Sequence, residues 1–281
     1  MHVTDLGGHS GCRILLCETE DNSVYVRKIS GNLNYNKRLV IQAEKQKAFV
    51  NGTVMAPDVL DSGYTEEGLF YFDMEYIQGI TLAEYMKTIE IGKVRGLVET
   101  IVKKVVIPEA IEGDVDESAF HNKIDMLEKK LIPWNNETVD QALKILRNHS
   151  WRRFVKTACH GDFTLENIIV KDNRLYLIDF LDSFYDSWIM DISTLLQDVQ
   201  TLWSYRMEEQ ININTLLRLI VFRDILIDEV RRSWGDHINE IYYALLFKLI
   251  RIYPYIKDRK TYDFLNEKTQ SVIRIIGEES Q

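Results

Sequence analysis

Residues 158–179, ACHGDFTLENIIVKDNRLYLID, constrain the chain more than any other stretch, because they set two acids and an amide around two short apolar runs. The runs 168–170 and 175–178 flank Lys171, Asp172 and Asn173, a combination suited to a tight hairpin and not to a helix. Such a hairpin folds Asp179 back beside Asn167, with Asp162 one short loop earlier.

These residue types suit phosphoryl transfer. A nucleotide triphosphate needs a metal to neutralise it before a hydroxyl approaches, and Mg²⁺ takes hard oxygen ligands such as a carboxylate and an amide carbonyl. Asn167 and Asp179 are therefore the expected metal ligands, with ATP and Mg²⁺ the expected cofactors. Asp162 is the expected base that orients the acceptor hydroxyl and takes its proton, a role worth roughly 10²- to 10⁴-fold in rate.

His160, Gly161, Asp162 and Asn167 fit the pattern HGDxxxxN, and Ile178, Asp179, Phe180 and Asp182 fit IDFxD. In these motifs the chain resembles the aminoglycoside phosphotransferase and choline kinase superfamily, which shares the protein kinase fold. The continuation SFYDSWIMDIS sets Asp186 and Asp191 at the family's acidic positions, while Leu181 departs from the Gly often found there. The resemblance implies that His160 and Asp191 hold the catalytic loop, and that Asp182 and Asp186 either support the metal site or face the acceptor.

The expected fold class is α+β and bilobal. A small antiparallel-sheet N-terminal lobe with one helix spans 1–76, a connector 77–82, and a larger, mostly helical lobe 83–281 carries the catalytic loop 158–167 and the metal-binding segment 175–191. In the first lobe, Gly7, Gly8, Ser10 and Gly11 lie between the strand-like runs 3–6 and 13–17, where a phosphate flap and an ordinary glycine turn both fit. Alternation along 23–29 aligns Lys28 with Val24 and Val26, odd for a solvated lysine and expected if it reaches the α- and β-phosphates. From 35 to 50, Tyr35, Leu39 and Ala43 form one helical row, and Val40, Glu44 and Ala48 the next. Glu44, the helix's one acid, is the expected ion-pair partner of Lys28, by analogy with the kinase fold; the alternative is a surface glutamate beside Lys45 and Lys47.

Residues 74–82 match the family connector MExIxGxxL, which implies that Glu75 and Ile77 offer a backbone carbonyl and N–H to the adenine edge. Thr81 is the expected cap of the helix that follows, with Glu84 in the capping-box position. Helical spacing continues through 93–110 and 118–150, broken at Pro108, Gly113 and Pro133, and again through 189–207, 211–234, 236–253 and 258–277. Trp188, Trp203, Tyr205, Trp234, Tyr242 and Tyr243 either pack the core or cage a cationic acceptor.

Composition narrows the partners. A formal net charge of -9 argues against a nucleic-acid surface. The 3 cysteines lack CxxC spacing, which points to a reducing cytoplasm without disulfides or zinc, and no run reaches the roughly 18 apolar residues of a membrane span. The expected activity is transfer of the γ-phosphate of ATP to a hydroxyl of a small polar metabolite. A protein kinase is disfavoured because Gly161 stands where those enzymes carry Arg and no peptide platform follows Asp191. A nucleotide-binding scaffold without turnover has no need of Lys28, Glu44, Asp162, Asn167 and Asp179 together.

Overall fold

The computed structural model describes residues 2–7, 11–49, 53–104, 106, 115–134 and 136–279. The chain divides into two compact units, residues 1–85 with 166–183, and residues 86–165 with 184–281.

The first unit is built on an antiparallel sheet of β1 (His2–Asp5), β2 (Cys12–Glu18), β3 (Val24–Ser30), β6 (Phe70–Glu75) and β5 (Val59–Tyr64), paired in that order. Asn22 turns β2 into β3 at φ 63°, a left-handed conformation that Asn tolerates better than most residues. Alternation along β3 buries Val26, Lys28 and Ser30 on one face. Helix α1 (Asn36–Ala48) covers the sheet by packing Leu39 and Ala43 on Phe70 and Phe72. Its buried row is Leu39, Gln42, Ala43 and Gln46, at i, i+3, i+4 and i+7, whereas Glu44 is exposed. The expected row through Val40, Glu44 and Ala48 is thus corrected: two amides, Gln42 and Gln46, complete the inner face.

A second sheet orders β4 (Val54–Met55), β9 (Arg174–Leu177), β8 (Ile168–Lys171) and β7 (Ile80–Thr81). Asp172 and Asn173, at φ 50° and 59°, form the two-residue turn that closes β8 onto β9. A Cβ at Gly79 would stand 2.6 Å from both Ile169 Cγ2 and the Val170 carbonyl oxygen, so only glycine lets the chain enter β7. The Thr81 hydroxyl then accepts the Glu84 amide at 3.1 Å and caps the short α2 (Leu82–Tyr85). The hairpin that carries Asp179 was expected in the C-terminal lobe. Its edges are occupied by β4 and β7, and it belongs to the first unit.

The second unit is helical: α3 (Ile91–Lys104), α4 (Glu117–Leu131), α5 (Glu137–Asn148), α6 (Trp188–Val199), α7 (Ile213–Trp234), α8 (Ile238–Ile250) and α9 (Arg259–Glu279). Every residue of α6 is buried, and α8 packs against it. Trp188, Tyr205 and Tyr242 are buried in this unit, Trp188 meets Trp234 at 4.7 Å, and Phe120 stacks on Trp151 at 4.4 Å. Trp188, Tyr205 and Tyr242 thus pack the interior, whereas Trp203, Trp234 and Tyr243 are half-buried. No helix among the described residues is long and apolar enough to cross a membrane, and the cysteines form no disulfide.

His149 stacks on Tyr243 with ring centroids 3.7 Å apart, and among the described residues its buried Nε2 has no partner. Burial outweighs the attraction of Glu117 and lowers the imidazole pKa from 6.5 to about 4. The folded protein keeps the ring neutral, while the unfolded chain takes up a proton near pH 6.5. Stability from this site is therefore full above that pH and is lost as pH falls toward 4. After allowance for the ring's partial exposure the loss is about 1–2 kcal/mol. In denaturation midpoints followed across this range, His149→Gln should flatten the acid limb; an unaltered limb would contradict the assignment.

Candidate active site

The site residues fall in both units. In the first, Lys28 is 2 % exposed on β3 and donates to Gln42 Oε1 at 3.1 Å while pairing with the Asp179 carboxylate. Asp179 follows β9 at φ 62°, a strained setting for a non-glycine residue and one that collects at functional positions. One residue before it, the Ile178 amide donates to the Asn167 carbonyl at 3.0 Å, which ties the ends of the hairpin together. Asn167 and Asp179 offer an amide oxygen and a carboxylate, the donor set with which Mg²⁺ is held when substrate phosphates complete its shell. The expected ligands therefore fit the ion.

The expected Lys28–Glu44 ion pair is not formed. Gln42 takes the helix position facing Lys28, and Glu44 points outward. The neighbours of Gln42 explain why the residue is an amide. Its Nε2 donates to Asp182 Oδ1 at 2.9 Å and to Tyr35 Oη at 3.2 Å, and its oxygen accepts from Lys28. A carboxylate at 42 would set two like charges against each other, whereas an amide donates to one side and accepts from the other. Arg38 completes the bridge with bonds to Asp182 of 2.6 and 3.1 Å. Burial alone would raise the Asp182 carboxyl, but the hydrogen bonds from Arg38 and Gln42 outweigh it and hold its pKa below the usual value.

Gln42→Glu should accordingly cost about 1–3 kcal/mol of stability by bringing a carboxylate onto Asp182. Glu44→Gln should stay within about 0.5 kcal/mol. Urea titration of the two variants checks the pair, and equal costs would contradict the arrangement.

Other expected nucleotide contacts are also in this unit. The Glu75 amide at the end of β6 donates to the Asp58 carbonyl at 2.9 Å, and Ile77 is buried two residues on. Gly11 precedes β2, and its carbonyl accepts the Gly31 amide at 2.8 Å. Gly8 and Ser10 lie outside the described residues.

The second unit holds Asp162. Asp191, in the first turn of α6, accepts the His160 amide at 2.6 Å and the Gly161 amide at 2.9 Å, one on each carboxylate oxygen. Gly161 sits at φ 94°, which suits glycine alone and explains its place before Asp162. His160 is buried, and its Nδ1 accepts the Asp162 amide at 3.3 Å, which puts the ring proton of the neutral tautomer on Nε2. The Asp162 carbonyl accepts the Thr164 amide at 2.8 Å, and Asp186 accepts the Cys159 thiol at 3.2 Å.

A second α6 carboxylate, Asp198, accepts the Leu165 amide at 2.6 Å and the Ser204 hydroxyl at 2.7 Å. Sequence reasoning missed Asp198, although its spacing of seven from Asp191, two helical turns on the same face, was a readable signal. The loop around Asp162 is thus suspended from two acids of one buried helix.

The phosphotransferase enzyme family pattern, APH, matches residues 18–217. No curated protein sequence matches the chain. Among solved structures, a thermostable mutant of aminoglycoside phosphotransferase APH(4)-Ia, in ternary complex with AMP-PNP and hygromycin B, aligns at TM-score 0.59 and 14% identity, covering 97% of this chain and 93% of that one. The putative fructosamine-3-kinase from Haemophilus somnus 129PT aligns at TM-score 0.60 and 13% identity, over 97% and 91%. The choline/ethanolamine kinase family protein from Mesorhizobium loti aligns at TM-score 0.60 and 15% identity, over 97% and 88%. At such identities the likeness establishes the α+β, kinase-like fold. Because the family pattern itself runs from β2 into α7, the chain belongs to the APH phosphotransferase enzyme family.

Proposed function

We propose that the protein is a small-molecule kinase that moves the γ-phosphoryl group of ATP, with Mg²⁺, to a hydroxyl of a small polar acceptor. The observation that carries this reading is the loop that presents Asp162, held in place by main-chain bonds. Asp191 has an oxygen on each of two backbone amides, whereas Asp162 is fixed through its own backbone by His160 and Thr164. Asp191 serves the structure of the loop, and Asp162 is assigned the hydroxyl proton as the new bond to phosphorus forms.

Asn167 and Asp179 would hold the metal, which when bound neutralises charge on the β- and γ-phosphates. Lys28 would turn from Asp179 to the phosphates, with Gln42 keeping its ammonium in place. The Glu75 carbonyl and Ile77 N–H are assigned to the adenine edge. The pairing of Lys28 with Asp179 supports the reading, since one anion of the site already selects the cation's position. AMP-PNP in the APH(4)-Ia complex supports ATP as the donor by fold analogy.

A screen for ADP release with Mg²⁺ over amino alcohols, sugars, hydroxy acids and aminoglycosides tests the reading. A small hydroxyl compound should stimulate release. Stimulation by protein substrates alone would contradict it.

A further inference from the structure

Lys28 is buried, and among the described residues its ammonium has two polar partners, the Asp179 carboxylate and the Gln42 amide oxygen. The first is assigned to the metal. Once Asp179 serves the ion, the lysine keeps only a neutral oxygen, a weak hold for a buried cation. Helix α1 offers it no carboxylate, since Glu44, its one acid, is exposed.

What lies behind Gln42 makes up the difference. Its Nε2 donates to Tyr35 Oη at 3.2 Å and to Asp182 Oδ1 at 2.9 Å, so both amide hydrogens are used. The two acceptors enforce different things. A tyrosine hydroxyl donates as readily as it accepts and suits either end of the amide, whereas a carboxylate accepts only. Asp182 therefore keeps the N–H end toward itself and the oxygen toward Lys28. The amide stands between an anion and a cation, with a charge-assisted bond at each end.

Asp182 is committed to this side of the segment. Arg38 donates to both of its oxygens, Nε to Oδ2 at 2.6 Å and Nη2 to Oδ1 at 3.1 Å. Burial works against its charge, and the bonds from Arg38 and Gln42 outweigh it, so the group stays a carboxylate. The Arg38 side chain is 51 % exposed against 17 % for Asp182, so solvent screens the guanidinium more, and at Gln42 the carboxylate dominates. Lys45 Nζ adds a bond to the Leu181 carbonyl at 2.9 Å. Arg38, Gln42 and Lys45, at i, i+4 and i+7, thus hold the segment just after Asp179 along one face of α1, and all of these residues lie in the first unit.

We propose that Asp182 is a positioning residue for phosphate binding: through the Gln42 amide it supplies the negative charge that α1 lacks, and so keeps the Lys28 ammonium in place for the nucleotide phosphates. The inference rests on the kinase reading above.

Moving the charge tests it. Asp182→Asn keeps the shape and one acceptor oxygen without the charge. Gln42→Glu brings a carboxylate directly onto Lys28 but sets it against Asp182. The double variant has one carboxylate, on α1, and an amide at 182 to donate to it. Wild type, both single variants and the double are compared by calorimetric titration with Mg²⁺ and AMP-PNP, by ADP release over the same acceptors, and by urea midpoint. Asp182→Asn should raise the nucleotide's Kd and KM about tenfold while kcat stays within about threefold. Adding Gln42→Glu should return Kd to within about threefold of wild type, and the double variant should unfold at a higher urea concentration than Gln42→Glu alone. Weaker binding that Gln42→Glu does not restore would make Asp182 a structural anchor of its segment and overturn the proposal. Wild-type affinity in Asp182→Asn would overturn it too, and continued ADP release would then leave the kinase standing. Should Asp182→Asn fail to fold, the double variant still decides, because the proposal requires it to fold and to bind. Restored affinity in the double variant, with no acceptor supporting turnover in any form, would keep this inference and sink the kinase reading.

Discussion

Asp162→Asn should lower turnover by about 10²- to 10⁴-fold while leaving ATP affinity within about twofold. The amide matches the carboxylate in shape but cannot accept the hydroxyl proton. The loop itself should survive, because its conformation is held by main-chain bonds that the substitution does not touch. His160 and Gly161 donate to Asp191, Leu165 donates to Asp198, and Thr164 donates to the Asp162 carbonyl. The groups assigned to nucleotide belong to the other unit, 1–85 with 166–183. Calorimetric ATP titration beside acceptor-dependent ADP release separates the two effects, and turnover equal to wild type would remove Asp162 as the base.

Asp179→Asn and Lys28→Met should each lower turnover by about 10²-fold or more, but with opposite consequences for stability. Asn tolerates the left-handed backbone of residue 179, so the change acts on charge and not on conformation. It leaves Lys28, 2 % exposed, with Gln42 but without its anion, at a cost of about 1–3 kcal/mol. Lys28→Met removes the buried cation altogether, and should be near neutral or mildly stabilising. Asp179→Asn should also weaken the Mg²⁺ dependence of ATP binding, since it takes away the one carboxylate assigned to the ion. Denaturant unfolding with ATP titrations at varied Mg²⁺ reads all three quantities. Equal stability losses in both variants would mean that the pair is an ordinary salt bridge.

The parts of the site that could be read from residues alone are those where the backbone demands a special residue. Gly161 at φ 94°, the Asp172–Asn173 turn and the Thr81 cap are chemically distinctive, and each stands where the chain order led one to look. Strand alternation likewise exposed Lys28 as a cation on a buried face. What stayed hidden were polar residues whose burial depends on distant partners. Nothing in local spacing marks Gln42 and Gln46 as buried until α1 is laid on its sheet, so Glu44, the helix's one acid, drew the assignment that belongs to an amide. Arg38 could not be linked to Asp182, 144 positions away, by any local pattern. The hairpin's place in the first unit depends on pairing with β4 and β7, which have two and two residues and carry little periodicity. Lys248 is concealed within an apolar helix, where one lysine looks like a stray surface position.

The central claim is that this chain transfers the γ-phosphoryl group of ATP directly to a small hydroxyl compound, with Asp162 taking the hydroxyl proton. Label from γ-³²P-ATP, followed in wild type and in Asp162→Asn with Mg²⁺ and the acceptor mixture, tests it most directly. Radioactive phosphate should appear on a small acceptor with wild type and nearly vanish with the variant, with none retained on the enzyme. Label held covalently by the protein, or transferred equally well by both forms, would contradict it.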